Sequence, residues 1–290
     1  MLAGERMEAI TFKVRFDGLD SSSHHMEARL LGTALQGLDT LVGDAVFGAV
    51  AGRPPTTAER REIVVWVAAP QVGCVEIPGQ VGAASGLLPF ILDALKHPGT
   101  KFLYEILSFL LKLKGGKPKD AQDHAMEAYR LLVEDRVHER QTHLQTQENW
   151  MAFCRDLAGV SEQPLRKLAA PVGRAAETLT LDAPAGRPPT VIDVPMAEAI
   201  RSNEPLEVGD MQRMRLRVDG VIKHTRKLKV ETEDRPGEFI NAEVRDPAFD
   251  SRPNVYTRAL EGDGYLDVDA KPTYRNGELV KLHIMDAREA

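Results

Sequence analysis

Between Met211 and Val230 stand Arg213, Arg215, Arg217, Lys223, Arg226, Lys227 and Lys229, with only Asp219 against them. Guanidinium and ammonium groups neutralise phosphates, and each such contact adds to the salt dependence of binding. The three arginines alternate with Met214, Leu216 and Val218. Side chains alternate faces along a strand. The spacing therefore predicts a strand whose apolar side lines a small barrel and whose guanidinium groups stand outside it. Binders of single strands also need aromatic platforms for bases. Tyr265 and Tyr274 join the seven cations as the predicted anion-binding set, and Phe239 and Tyr256 are further aromatic residues nearby. A plainer outcome is open beside this one. Glu231, Glu233, Glu243, Asp267 and Asp269 could pair with the cations across the sheet and leave an ordinary solvated face.

Other groupings invite chemistry and fall short of it. His138 and His143 are five residues apart. Zinc-binding helices place two histidines at i and i+4 so that both converge from one face. The extra residue turns His143 away by about 140° on a helix of 3.6 residues per turn. Asp20, Ser21–Ser23, His24 and His25 bring a carboxylate, hydroxyls and imidazoles together in sequence, but triads are assembled from separate segments. Helix capping explains the serines and the aspartate. Gly79–Gly86 is a glycine-rich run placed between a predicted strand and a predicted helix, where phosphate can be cradled. It has neither a dinucleotide fingerprint nor a Walker lysine–serine pair. Asp246, Asp250, Asn254, Asp263 and Asp269 do not follow the spacing of a calcium loop, and turn formation accounts for most of them. No catalytic residue, metal site or cofactor is predicted. An enzyme remains open only through groups that converge from distant segments.

The elements that must position these residues follow from composition and pattern. At 290 residues the chain is long enough for two domains. Its 43% hydrophobic and 28% charged residues are those of a folded protein. A net charge of −6 excludes a protein that coats nucleic acid over its whole surface and permits a local basic patch. Cys74 and Cys154 form no framework, read as buried free thiols, and fit a reducing cytoplasm. Met1–Arg6 has no apolar core of a secretory leader.

Alternation of Ile10, Phe12, Val14 and Phe16 predicts a half-buried strand. A helix from about Met26 to Val50 follows, weakened by Gly32, Gly37 and Gly43. Ile63–Ala69 is a continuous apolar run that suits a strand buried on both faces, and Val72–Ile77 reads as its hairpin partner. Leu87–Leu95 and Phe102–Leu113 predict an apolar helical hairpin, each piece too short to span a membrane. A helical pattern continues from Asp120 to Leu157, with a polar middle that allows a break near Thr142. Prolines and glycines punctuate residues 159–205, which are predicted as a linker with short helices at Ser161–Ala169 and Pro195–Ser202. The barrel strands are predicted at Met211–His224, Lys227–Glu233, Glu238–Arg245, Tyr265–Tyr274 and Glu278–Met285, with a short helix at Val255–Leu260. Gly220 predicts a bulge, and Asn276-Gly277 predicts a two-residue hairpin turn.

The expected fold is thus α+β. Residues 1–158 form a small sheet with helices and a helical extension, 159–205 a linker, and 206–290 a small β-barrel of the oligonucleotide/oligosaccharide-binding (OB) kind. Several segments resemble an uncharacterised two-domain bacterial or phage family: Phe12–Gly18, the Gly32–Leu38 helix, the hairpin with Ile77–Gly82, and Tyr265–Asp286. The resemblance implies a bacterial or phage setting and a helical insert before the barrel, and no activity. The expected function is non-catalytic binding of an anionic ligand, foremost nucleic acid, by the barrel, with a protein partner or self-assembly served by the helical region. One alternative is an interaction or assembly factor without nucleic acid, in a bacterial defence or mobile-element context. The other is a membrane-associating effector acting through residues 87–113.

Overall fold

The computed structural model describes residues 10–23, 25–68, 75–83, 99–134, 146–251, 253–262 and 264–290. The chain divides into two units, Met1–Arg201 and Ser202–Ala290.

In the first unit, β1 (Thr11–Asp17) buries Val14 and Phe16 and exposes Thr11 and Asp17. It is the middle strand of an antiparallel sheet. On one side it pairs with β3 (Val75–Ala83), which pairs with β2 (Ile63–Val67). On the other it pairs with β4 (Thr178–Leu181), which pairs with β5 (Thr190–Ile192). Among the described residues, seven α-helices accompany the sheet: α1 (Ala28–Ala51), α2 (Thr57–Arg60), α3 (Gly99–Lys114), α4 (Pro118–Glu134), α5 (Gln147–Val160), α6 (Glu162–Leu168) and α7 (Val194–Arg201). α1 runs unbroken past Gly32, Gly37 and Gly43. Gly37 lets it approach α6, because a Cβ there would stand 2.4 Å from the Pro164 carbonyl oxygen. α1 is long and apolar enough to cross a membrane by length and composition, and two-thirds of its apolar window is buried within the protein.

Three expectations are corrected. Residues 159–201 are not a linker. They form α6, β4, β5 and α7, and β4 completes the first sheet through Leu179 and Leu181. The prolines flank short elements rather than mark a loose connection. Ile63–Val67 is an edge strand, not one buried on both faces, and Trp66 is 65% exposed. The return strand runs on past Ile77 to Ala83, and it takes Gly79 and Gly82 into the sheet. Their missing side chains leave room for aromatic rings: a Cβ on Gly79 would meet the Phe12 ring, and one on Gly82 the Trp66 indole. That removes residues 79–83 from any phosphate-cradling turn. Of the two readings open for the Asp120–Leu157 pattern, the two-helix one is found, as α4 and α5. Trp150 of α5 is fully buried and donates its indole N–H to the Ala125 carbonyl of α4 at 2.9 Å. The proposed break near Thr142, the first half of the apolar hairpin (Leu87–Leu95), His24, Cys74, His138, His143 and Asp263 lie outside the described residues. The second half of that hairpin, α3, is buried from Phe102 to Leu111.

The second unit is a closed five-stranded barrel: β7 (Gln212–Ile222), β8 (Lys227–Thr232), β9 (Phe239–Val244), β10 (Tyr265–Arg275) and β11 (Glu278–Glu289). Hydrogen bonding runs β7–β8–β9–β11–β10 and back to β7. Every pair is antiparallel except β9–β11. The helix α8 (Val255–Glu261) joins the third barrel strand to the fourth, and the short β6 (Glu207–Val208) pairs with the end of β10. This is the Greek-key barrel of the OB class. Leu216, Val218, Leu228, Val230, Ala242, Val244, Leu266, Val268, Leu282 and Ile284 form its interior with Phe249 and Tyr256. The bulge at Gly220 is present as a register shift between Val218 and Gly220. Asn276 and Gly277 both take positive φ, 51° and 82°, in the turn between β10 and β11.

Candidate nucleic-acid interface

Strand alternation decides what the barrel shows to solvent. On β7, Leu216 and Val218 are buried, so Arg213, Arg215 and Arg217 point outward. On β8, Lys227 and Lys229 are exposed between Leu228 and Val230. On β9, Phe239 and Asn241 are exposed and Ala242 and Val244 are inside. Cross-strand register sets Tyr265 opposite Arg217, Arg217 opposite Glu231, and Glu231 opposite Phe239. One row of the face therefore reads aromatic, cation, carboxylate, aromatic. Its two rings are three strand spacings apart, about 14 Å along the sheet.

Both rings carry a cation. The Arg215 guanidinium lies 5.0 Å from the Tyr265 ring centroid, and the Lys229 ammonium 4.4 Å from that of Phe239. Such contacts are worth about 0.5–1 kcal/mol at exposed sites. Phe239 and Tyr265 are each 40% exposed, although both are large aromatic residues.

Each outward arginine also has a carboxylate. Arg213 pairs with Asp269 at 3.4 Å, Arg215 with Glu233 at 3.9 Å and Arg217 with Glu231 at 3.2 Å. Lys229 pairs with Asp219 at 2.8 Å. These side chains are about half exposed or more on the cationic side, a setting in which an ion pair contributes little to stability. Lys223 and Lys227 form no ion pair with the described residues. Glu243 is held by Lys281 at 2.7 Å and by Arg245. Burial pushes its carboxyl up, but those two cations and the nearby His283 bring it below the usual carboxylate range.

Two residues of the predicted set serve elsewhere. Arg226 adopts left-handed backbone, with φ 52°, in the turn between β7 and β8. Its Nε donates to the Val244 carbonyl at 3.1 Å, its guanidinium pairs with Asp250, and it lies 5.4 Å from the Phe249 ring centroid. It fastens the segment between β9 and α8. Tyr274 sits beyond the second register shift of β10, opposite Glu207 and Leu279. That is about 30 Å of strand from Tyr265. Asp246 and Asn254 do not gather as cation ligands. Asp246 accepts from Tyr256 at 2.7 Å and from the Ala248 N–H, and Asn254 caps α8.

Sequence profiles divide the chain in the same place as the structure. The profile of a family described as a domain of unknown function, DUF7946, matches residues 12–201. The chain belongs to the DUF7946 family. A second profile, described as a family of unknown function, DUF7947, covers residues 210–288, the barrel. Together they bear out the resemblance to an uncharacterised two-domain family. No curated protein and no solved structure matches the chain.

The DUF7946 unit holds a polar cluster that pattern reading passed over. Glu105 of α3 is 2% exposed; its Oε2 lies 2.6 Å from His124 Nδ1 of α4, and its Oε1 lies 3.5 Å from Arg187 Nε. Arg187 also pairs with Glu127, which Arg130 holds. The Tyr104 hydroxyl donates to the Pro188 carbonyl at 2.7 Å. The signal was a lone carboxylate in the apolar stretch Phe102–Leu113. A carboxylate-held imidazole can act as a general base. Among the described residues no hydroxyl or thiol is hydrogen-bonded to this one, and the contacts all tie α3, α4 and the β4–β5 connection together. Cys154 is buried, and burial pushes its thiol up to about 12, which makes it unreactive at neutral pH.

Proposed function

We propose that the barrel binds nucleic acid through the outer face of β7, β8, β9 and the start of β10, and that the chain acts by binding rather than catalysis. One observation carries this reading: two exposed aromatic rings, Phe239 and Tyr265, stand on that face with a cation over each. OB barrels use the face of their second and third strands for oligonucleotides and oligosaccharides. Here those strands supply Lys227, Lys229, Phe239 and Asn241. Arg213, Arg215 and Arg217 extend the face over the first strand, and Lys223 stands in the adjoining turn.

The test is fluorescence anisotropy of the full chain with labelled single- and double-stranded DNA and RNA. A Phe239→Ala/Tyr265→Ala variant is run beside it. Loss of one stacked base is worth about 1–3 kcal/mol, so the variant should bind at least tenfold more weakly with its melting temperature little changed. Failure of the wild-type chain to bind any of the four nucleic acids sinks the proposal.

A second reading draws on the carboxylates. A face on which four cations are each paired is mixed in charge, and mixed charge with exposed aromatics also suits a protein partner. A stoichiometric partner that leaves with the Phe239→Ala/Tyr265→Ala variant, and carries no nucleic acid, would favour it.

A further inference from the structure

The carboxylates of this face have a role beyond pairing. We infer that Asp219, Glu233 and Asp269 make the barrel selective for unpaired strands and reject duplex; the inference rests on the nucleic-acid reading above.

On this face, Arg213, Arg215, Arg217 and Lys229 already have carboxylate partners. A phosphate that approaches must displace a carboxylate before it gains a cation. Duplex DNA offers mainly backbone charge to a binder that does not enter its grooves. Its bases are stacked on one another, so their faces cannot reach Phe239 or Tyr265. Against this surface a duplex gains only an exchange of one anion for another, and it meets the repulsion of the released carboxylates. An unpaired strand gains the two stacking contacts as well, which need no net positive charge. The same carboxylates therefore cost a duplex most of its binding and a single strand only part.

The pairs differ in how far each can yield. Glu233 is 66% exposed and Asp219 44%, and among the described residues each is held by one cation alone. Asp269 is shared between Arg213 and Arg288. Glu231 is different: it is only 12% exposed and also accepts the Gly237 N–H at 2.5 Å, which fastens the β8–β9 connection. It positions Arg217 and the loop and is left intact in the test.

The experiment compares the full wild-type chain with an Asp219→Asn/Glu233→Gln/Asp269→Asn variant. Anisotropy is read on a labelled oligothymidine strand and on a mixed-sequence DNA duplex across a salt series. Wild type should prefer the single strand at least tenfold. It should also show a log–log salt slope well short of the roughly −0.7 per cation that free cations would give. In the variant, duplex affinity should rise about tenfold and single-strand affinity about threefold, so the preference falls, and the slope should steepen by about 0.7 for each cation freed. Glu233→Gln alone, on the most exposed carboxylate, is the fallback if the triple variant melts early; it should move both readouts in the same direction.

A wild-type chain that binds single strands but gives the variants an unchanged preference and slope overturns this inference alone. Equal wild-type binding of strand and duplex does the same. A wild-type chain that binds neither overturns the functional proposal and this inference together.

Discussion

The two units treat charge in opposite ways. The first puts carboxylates inside: Asp44 is fully buried and held by two hydrogen bonds from Arg60, at 2.7 and 3.0 Å, and Glu105 is buried against His124 and Arg187. The barrel sets the ion pairs of its β7 face on the outside, and its buried carboxylate, Asp246, accepts from the Tyr256 hydroxyl and the Ala248 N–H. A buried pair cannot change partners without exposing a charge to a low-dielectric interior. An exposed pair can exchange at little cost. So the buried charges of the first unit hold structure, and the exposed pairs on the β7 face can change partners.

Removing one partner of the buried pair should have the largest effect. Arg60→Ala leaves Asp44 unpaired inside the protein, and such losses run to about 3 kcal/mol or more. Urea denaturation would measure it. The loss should depend on pH with a defined sign. Burial already pushes the Asp44 carboxyl above its ordinary value, and Arg60 opposes that. Without Arg60 it rises further. A carboxyl raised on folding favours the folded state below its unfolded value and loses that contribution as pH rises through the folded one. The deficit of the variant should therefore be greatest at neutral pH and shrink toward pH 4. An equal deficit at both would mean that Asp44 is not the source.

Next come two glycines of one helix. Gly37→Ala would drive a Cβ into the Pro164 carbonyl and within 2.7 Å of the Leu168 nitrogen. It should cost about 1–3 kcal/mol. Nothing lies within 4 Å of a Cβ at Gly32, so Gly32→Ala should stabilise by about 0.5–1 kcal/mol. Matched thermal melts decide both, and a gain at Gly37 would refute the close approach of α6.

Inside the barrel, Tyr256→Phe removes the hydroxyl that donates to Asp246 at 2.7 Å. Its loss should cost about 1–2 kcal/mol. Burial, then the Asp246 hydrogen bond, holds this phenol well above its ordinary value, so it should stay protonated in an alkaline absorbance titration until the protein unfolds. The smallest effect belongs to the outer face. Arg215→Ala should change stability by less than about 0.5 kcal/mol. A larger loss would show that the exposed pairs are structural and would erase the contrast between the units.

The barrel was legible because its signals are local. Arginines and apolar residues alternate on one strand, Gly220 marks a bulge, and Asn276-Gly277 marks a turn. That the arginines face outward could be read from the same alternation. Their neutralisation stood open as the plainer outcome, but which carboxylate meets which cation could not be read, because Asp269, Glu231 and Glu233 arrive by register between strands. Ile63–Val67 misled for a related reason: an apolar run does not say whether a strand is central or at the edge. The strands of residues 178–192 were hidden because they are only four and three residues long. No periodicity can build up over such lengths, and their prolines read as a loop.

The central position of β1 also orders events in time. Its partner β4 begins at Thr178, on the far side of α1 to α6, which are made first. A ribosome that has just released α5 has a sheet open on one side, with Val14 and Phe16 lacking Leu181 and Leu179. Closing that sheet joins residues far apart in the chain, the kind of contact that slows folding. A nascent chain halted at residue 158 would therefore expose the strand that should be its centre, and protection from protease should arrive only after the segment through Ile192 has emerged.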